Sequence, residues 1–466
     1  MIAKGNALET MSAAVFFKPC KGEINSNDAK YYALSGLDKM VLGFAFPGRC
    51  PSLLHSAPLG LVLPLGTRKH NSELHQSIME FLFLLSAFLI VYVYAGYPVL
   101  LMLLKKMGWA RPRIQDEVEP EVTLFISAFN EEDVIAEKIE NSLALDYPKE
   151  KLEILVISDR SDDKTDEIVE SYADKGVKLL AMPERGGKTV GLNAGIEQAK
   201  GEIIIFSDAN AMYDAQVVRN FVRNFADESI GVVTGESQYV IDDGDTATES
   251  ENAYWRYELA VKRIESDLGS LVGGDGAIYA IRKSLYRELA PSDLSDFVNP
   301  LQIVAQGYRN VYEPAAFSVE KGGESFDKEY KRKVRIVNRA WRGMMGLRQL
   351  LNPFSYGLFA IQTLSHKLLR WLVPAFMIIA FIANHYIADQ GGFYRLTYII
   401  QFGFYLLAGI GWLKRDNEDL SRIFYIPYYF CLINFACLQG IIENYMGKTY
   451  TVWSTVREKP AHEGAA

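Results

Sequence analysis

The stretch GEIIIFSDANAMY, residues 201–213, decides how the rest of the chain is read. Ile203, Ile204, Ile205 and Phe206 make an unbroken apolar run, as expected of a central strand covered on both faces. The run stops at Ser207-Asp208-Ala209-Asn210. A carboxylate at the carboxyl end of a buried strand sits where α/β sheets hold ligands. Asp208 and Asn210, two residues apart, offer oxygens of the kind that suit Mg²⁺ or Mn²⁺, and such a cation suits a diphosphate. The same residues also suit an ordinary Asp/Asn-rich turn, so this stretch alone leaves both readings open.

Upstream, strand and helix alternate. EVTLFISAFNEE reads as a strand ending at Ser127–Glu132, with a helix at about 134–144. LEILVISDRSDDKT is a second strand ending at Asp159, followed by a helix at about 165–175. VKLLAM is a third strand, and Glu184-Arg185-Gly186-Gly187-Lys188-Thr189 opens a helix through Ala199. This alternation predicts an α/β domain with a mostly parallel, covered sheet. The run Gly186–Thr189 is not a P-loop, because the earlier glycine falls at Met182. No G-x-G-x-x-G follows the first strand, so a dinucleotide fold has no support. What remains is a constellation at successive strand ends: Asn130 and Glu131, Asp159, Lys188, then Asp208 and Asn210. Together they point to a nucleotide site.

Composition narrows the chemistry. All six histidines and all four cysteines lie outside residues 121–340. Ser-His, Cys-His and His-metal schemes are therefore excluded there, as are a disulfide framework and a zinc site. The net charge of −8 gives no reason to expect nucleic acid.

Apolar blocks flank this domain. Residues 1–76 show no lasting period and read as a disordered or uncertain extension. Residues 77–104 exceed the ~20 apolar residues needed to span a bilayer. Lys105, Lys106, Arg111 and Arg113 follow, which places residues 105–325 in the cytoplasm by the positive-inside rule. Residues 326–365 include a basic amphipathic helix from Glu329 to Leu350, suited to the membrane surface. Residues 366–446 hold three more spanning candidates, at about 368–387, 396–413 and 423–446, and 447–466 form a tail. Counting spans puts the C-terminus outside, whereas Lys448, Arg457 and Lys459 argue the other way.

In the second half of the domain, GVVTGESQYV reads as a strand and residues 249–267 as a helix. Gly273-Gly274-Asp275-Gly276 is a glycine-rich turn before AIYAIRKSLY, and Asp293 and Asp296 follow. At this point residues 121–345 resemble the inverting family 2 glycosyltransferases of the GT-A fold. SAFNEE is similar to that family's P-x-Y-N-E-E, and ISDRSDDKT to its V-D-D-G-S-T-D-G-T. RGGKTVGLNAGIEQAKGEIIIFSDAN is similar to its long segment ending in D-A-D. GGDGAIYAIRKSLY resembles the acceptor-side turn, and LSDF the segment bearing the base. One helix before the domain and several after resemble the membrane-embedded synthases of hyaluronan, chitin oligomers, cellulose and bacterial exopolysaccharides.

The resemblance implies roles. Phe129, Asn130, Glu131, Asp159, Lys188 and Asp208 would bind a UDP-sugar, with Asp159 accepting from uracil. Asp208 and Asn210 would hold Mg²⁺ or Mn²⁺. Gly274, Asp275 and Gly276 would face the acceptor, and Asp296 would be the single base of an inverting displacement. Three positions depart from the family: Asn210 for the second acid of D-x-D, Ser295 for the Glu of E-D, and Arg332–Ile336 for Q-x-x-R-W. There Arg335 survives, placed at the diphosphate or the acceptor, and Trp341 is the nearest substitute for the missing Trp.

The implied protein is a multi-pass enzyme of the inner (cytoplasmic) membrane, with about four transmembrane helices, interfacial helices and its catalytic domain in the cytoplasm. It would extend a polysaccharide, alone, as a homo-oligomer or with an export partner. One alternative is transfer of a single sugar to a lipid-linked acceptor. Another is an inactive carbohydrate-binding scaffold, against which the joint presence of Asp159, Asp208 and Asp296 argues.

Overall fold

The computed structural model describes residues 66–240, 246–321, 326–415 and 421–452. Most of the proposed N-terminal extension lies outside that range. Its last part, from Gly66, belongs instead to the first long helix.

Eight strands form one sheet: β1 (Val122–Ala128), β2 (Leu152–Ser158), β3 (Val177–Ala181), β4 (Ile203–Asp208), β5 (Met212–Tyr213), β6 (Ile230–Val240), β7 (Ile278–Arg282) and β8 (Arg309–Lys321). Their order is β3-β2-β1-β4-β7-β6-β8-β5. The first four are parallel neighbours. β7 is antiparallel to both β4 and β6. The sheet is thus parallel where helices carry the chain back, and mixed beyond β4. Alternate side chains feed two apolar layers. Leu124, Ile126, Val156 and Ile205 face one layer. Phe125, Leu155, Ile157 and Phe206 face the other. Burial on both faces explains why β4 reads as an unbroken apolar run.

The helices in chain order begin with α1 (Gly66–Val91) and α2 (Tyr97–Leu104), joined through a wide turn at Tyr92–Gly96. Around the sheet lie α3 (Ile135–Leu143), α4 (Thr165–Glu170), α5 (Lys188–Gln198), α6 (Val217–Val222), α7 (Thr246–Leu268) and α8 (Ser295–Ala305). The basic helix is α9 (Phe326–Gly346), and two short turns, α10 (Pro353–Tyr356) and α11 (Leu358–Gln362), follow. Last come α12 (Leu369–Ile387), α13 (Gly392–Leu413) and α14 (Arg422–Tyr445). Four helical segments are long and apolar enough to cross a membrane: Glu73–Trp109, Leu358–Gln390, Gly392–Leu413 and Arg422–Tyr445. Phe81, Phe88, Ile399 and Ile400 stand more than half exposed, as lipid-facing side chains do.

Buried polar groups fasten these helices to the domain. Tyr97 donates to Glu265 of α7, and Arg370 to Glu258. His366 lies between the two carboxylates, its Nδ1 2.8 Å from Glu265 and its Nε2 3.2 Å from Glu258. A third apolar cluster joins α8, α9, α12 and α14 through Phe297, Val337, Trp341, Trp371 and Ile441.

The last helix packs along α13 and α9 and ends against the domain. A Cβ on Gly411, in the last turn of α13, would meet the Phe424 carbonyl at 2.6 Å, and one on Gly440 would meet the Val334 carbonyl at 2.7 Å. Phe326 packs on Tyr428, and Asn338 receives a bond from Asn444 at 3.1 Å, so α9 and α14 run parallel. The chain then continues along the domain: Asn338 and Arg342 each donate to the Lys448 carbonyl at 3.2 Å. Span counting put this tail outside. Lys448 and Thr451 instead touch the domain, at Asn338, Arg342 and Gly187.

Candidate active site

The donor side is built from loops that hold one another. Asn130 adopts a left-handed backbone (φ 53°), which Asn tolerates. Its Oδ1 accepts from Asp162 N at 3.0 Å, and its own N–H donates to Ser161 at 3.1 Å. Glu131 N–H donates to Thr165 Oγ1 at 2.8 Å. The β1 loop is therefore stitched to the β2 loop. Phe129 is buried beneath the Arg185 guanidinium, 3.6 Å above its ring.

Asp159 receives the N–H groups of Gly186 at 2.8 Å and Gly187 at 2.9 Å. Burial pushes its carboxyl above the usual range, and these two donors pull it back. Only 2% of the residue is exposed. It shapes the loop before α5, a task its position in the sequence did not suggest. Gly187 holds φ 87°, and the Thr451 carbonyl lies where a Cβ would stand. A side chain there would be both strained and obstructed.

Lys188, opening α5, links the two halves of the site. Its Nζ bonds the Asp208 carboxylate and donates to the Gly276 carbonyl at 2.9 Å. A Cβ on Gly276 would stand 3.2 Å from Asp296 Oδ2, and Gly274 N–H donates to the Asp296 carbonyl at 2.7 Å. The glycine turn thus lies directly on Asp296, in the first turn of α8. Asp275 is tied to Ser237 at 2.8 Å. Burial raises the Asp296 carboxyl above its ordinary value; Lys188 and Arg339 oppose that rise and Asp275 adds to it. Asp293 caps its own turn by accepting from Ala290 N–H at 2.9 Å.

One expectation about α9 changes. Trp341 is 5% exposed and packs between Trp371 and Tyr445, so no ring face is open to a sugar. The position is a core position because Trp341 shares the buried face of the helix with Val337 and Met344. Arg335 lies one turn before Arg339, and their like charges act on each other. Arg339 reaches the site as well as any residue of α9 the sequence singled out. It donates to Thr189 Oγ1 at 3.0 Å, to the Ser292 carbonyl at 3.3 Å and to the Asp293 carbonyl. Its i+4 spacing from Arg335 was the available signal.

Glu320 was also missed. In the β5–β8 ladder Met212 faces Val319, so Glu320 arrives opposite Ala211, beside Asn210. Its Oε1 is buried without a hydrogen-bond partner. Burial first, then Asp208 and Asp275, push its carboxyl up to about 7. Among the described residues no three His, Cys, Asp or Glu side chains are grouped to hold a metal ion. The oxygens of Asp208 and Asn210 are of the kind a hard divalent cation takes, and the orphaned Glu320 Oε1 is on the strand that pairs with the residues just after them.

Comparison with known proteins follows this geometry. Residues 123–290 match the sequence model of the family described as Glycosyl transferase family 2. A poly-beta-1,6-N-acetyl-D-glucosamine synthase of Staphylococcus aureus is 27% identical over 226 residues, 47% of this chain and 54% of that protein. The probable glycosyltransferase YdaM of Bacillus subtilis is 27% identical over 231 residues, 46% of this chain and 54% of that protein. The chain thus spans about half the length of the curated relatives it matches. The mannosyltransferase PcManGT of Pyrobaculum calidifontis, solved with GDP-Man and Mn²⁺, is similar in fold (TM-score 0.59, 21% identity), covering 79% of this chain and 99% of that one.

Proposed function

We propose, from the match of residues 123–290 to the Glycosyl transferase family 2 model, that the chain moves a sugar from a UDP-sugar to a hydroxyl of a growing polysaccharide at the cytoplasmic face of the inner membrane. One observation carries this reading: Lys188 touches both Asp208 and the Gly276 carbonyl, and Gly276 lies on Asp296. A donor-side carboxylate and a buried acid are thereby held within one small site. Asp296 takes the proton of the acceptor hydroxyl as that oxygen attacks the sugar's C1, and a single base with no protein nucleophile gives inversion. Its raised affinity for protons suits that task. Asp293, the other carboxylate of that segment, is occupied in holding a turn. Lys188 and Arg339 keep positive charge near the departing diphosphate. A divalent cation held by Asp208 and Asn210 would, when bound, offset charge building on that group.

Two observations favour a second reading, transfer of one sugar to a lipid-linked acceptor. Trp341 offers no platform for a glycan. An apolar cleft of about 860 Å³ also opens among α12, α13 and α14, lined by Met377, Phe381, Tyr405, Cys431 and Phe435, with Asp327 and Tyr330 of α9 among its walls. The test is to incubate the purified full chain with a panel of UDP-sugars and size the product. A ladder supports the first reading and a single shift the second. No UDP release with any donor removes both and leaves a binding protein.

A further inference from the structure

We propose that Glu320 is the second acidic ligand of the cation site, filling the role that position 210 gives to a neutral amide. The proposal rests on the reading that Asp208 holds a divalent cation. It starts from a deficit. One carboxylate and one amide are a weak set for Mg²⁺ or Mn²⁺, which favour charged oxygens. In the sequence Glu320 stands 112 positions after Asp208, in a stretch without a motif. The fold removes that separation. β5 follows the Asp208–Asn210 turn at once and pairs antiparallel with β8, Met212 facing Val319. The next pair along that ladder brings Glu320 to Ala211, one residue from Asn210.

The surroundings of Glu320 give it no structural task at Oε1. That atom is buried and unpartnered, a costly state for a carboxylate oxygen. Lys138, the buried cation nearby, is committed elsewhere: its Nζ donates to the Ala211 carbonyl and lies 3.7 Å above the Tyr213 ring. Of the charges acting on Glu320, that of Asp208 is the largest. Lys188 and Arg332 offset that repulsion only in part, since the Glu320 carboxyl stays raised, and a divalent ion shared by the two carboxylates would remove the rest. Lys188 now bonds Asp208. Entry of the ion and a diphosphate would let that ammonium turn to the phosphate oxygens.

The experiment measures Mn²⁺ binding by electron paramagnetic resonance on the full chain in detergent, with and without UDP. The unaltered chain, Glu320→Gln, Asp208→Asn and the double variant Glu320→Gln/Asn210→Asp are compared. Glu320→Gln keeps shape and removes only charge, so expression and thermal unfolding should stay near those of the parent. The expected result is loss of bound Mn²⁺ in Asp208→Asn and at least tenfold weaker Mn²⁺ binding in Glu320→Gln. Recovery toward the parent value is expected in the double variant, where the acid has moved to position 210. If Asp208→Asn loses Mn²⁺ while Glu320→Gln binds it as the parent does, Glu320 is no ligand and the reading of Asp208 stands. If Glu320→Gln is weakened but the double variant is not restored, the residue acts through folding and the proposal fails. If the unaltered chain binds no Mn²⁺ with or without UDP, the reading and the proposal fall together.

Discussion

The two halves of the site, the proposed donor side and the proposed acceptor side, are assembled differently. On the donor side, Asn130, Asp159, Lys188 and Asp208 stand at the ends of consecutive strands, within 79 positions of one another. Each loop bonds the next: Asn130 to Asp162, Asp159 to Gly186 and Gly187, Lys188 to Asp208. The acceptor half joins α8, α9, α12 and α14 through one apolar cluster reaching from Val272 to Ile441. The first half is a product of local order, the second of packing between distant segments. Changes in the first should therefore be felt as lost nucleotide affinity, and changes in the second as lost turnover or stability.

The largest expected effect tests that division at its boundary. Asp296→Asn should lower sugar transfer by roughly 10²–10⁴-fold, the usual share of a positioned base. UDP affinity by calorimetry should barely change. Loss of UDP binding as well would move Asp296 to the donor side and erase the boundary. Next comes Asp159→Ala, which leaves the Gly186 and Gly187 N–H groups without their acceptor. Bonds to a charged group are worth about 1.5–3 kcal/mol each, so UDP should bind about 10–100-fold more weakly. Turnover at saturating donor should be much less affected. An unchanged Kd would show that the loop keeps its shape unaided.

Acidity offers a sharper probe. Burial makes Asp296 hold its proton to a higher pH than an ordinary aspartate, whose value is about 3.9. The base is active only when ionised, so kcat/KM should fall as pH drops through that raised value. Arg339 favours the ionised form. Arg339→Gln should therefore shift the acid limb to higher pH, and the plateau should also fall as the charge near the diphosphate is lost. A limb that stays put or moves down would detach Arg339 from the base. The smallest catalytic effect belongs to Trp341→Phe. Removing part of a buried ring should cost about 1–3 kcal/mol of stability, visible in thermal unfolding. Acceptor KM should be unaltered; a large rise would restore Trp341 to the acceptor site.

Legibility followed the same line. β1 to β4 were readable because their apolar runs are continuous and end in polar loops. β8 was not readable, because polar Asn310, Glu313 and Ser318 are buried among its apolar residues. Asn310 is buried while bonded to Thr234 and Gly273, and Glu313 while paired with Arg113 and Arg223. A strand whose core positions are Asn and Glu shows no hydrophobic period, so Glu320 stayed hidden. Trp341 misled for a related reason. An aromatic among arginines suggests a ligand face, but the apolar stripe it shares with Val337 and Met344 decides its direction. The sequence also made α14 a spanning candidate by length. Its close contact at Gly440, with the Val334 carbonyl of α9, comes from a residue no hydropathy window weighs.

The position of α14 also sets an order of manufacture. Chains emerge from the ribosome N-terminus first, and early segments begin to fold while later ones are still being made. β1 to β4 and the loops between them are complete once Asn210 has emerged. The cluster around Phe297 and Trp341 waits for Cys437 and Ile441, near the end of synthesis. The Thr451 carbonyl reaches Gly187 later still. A polypeptide released before α14 would carry the donor loops without the wall that completes the acceptor side. The last stretch translated thus closes a structure begun more than two hundred codons earlier.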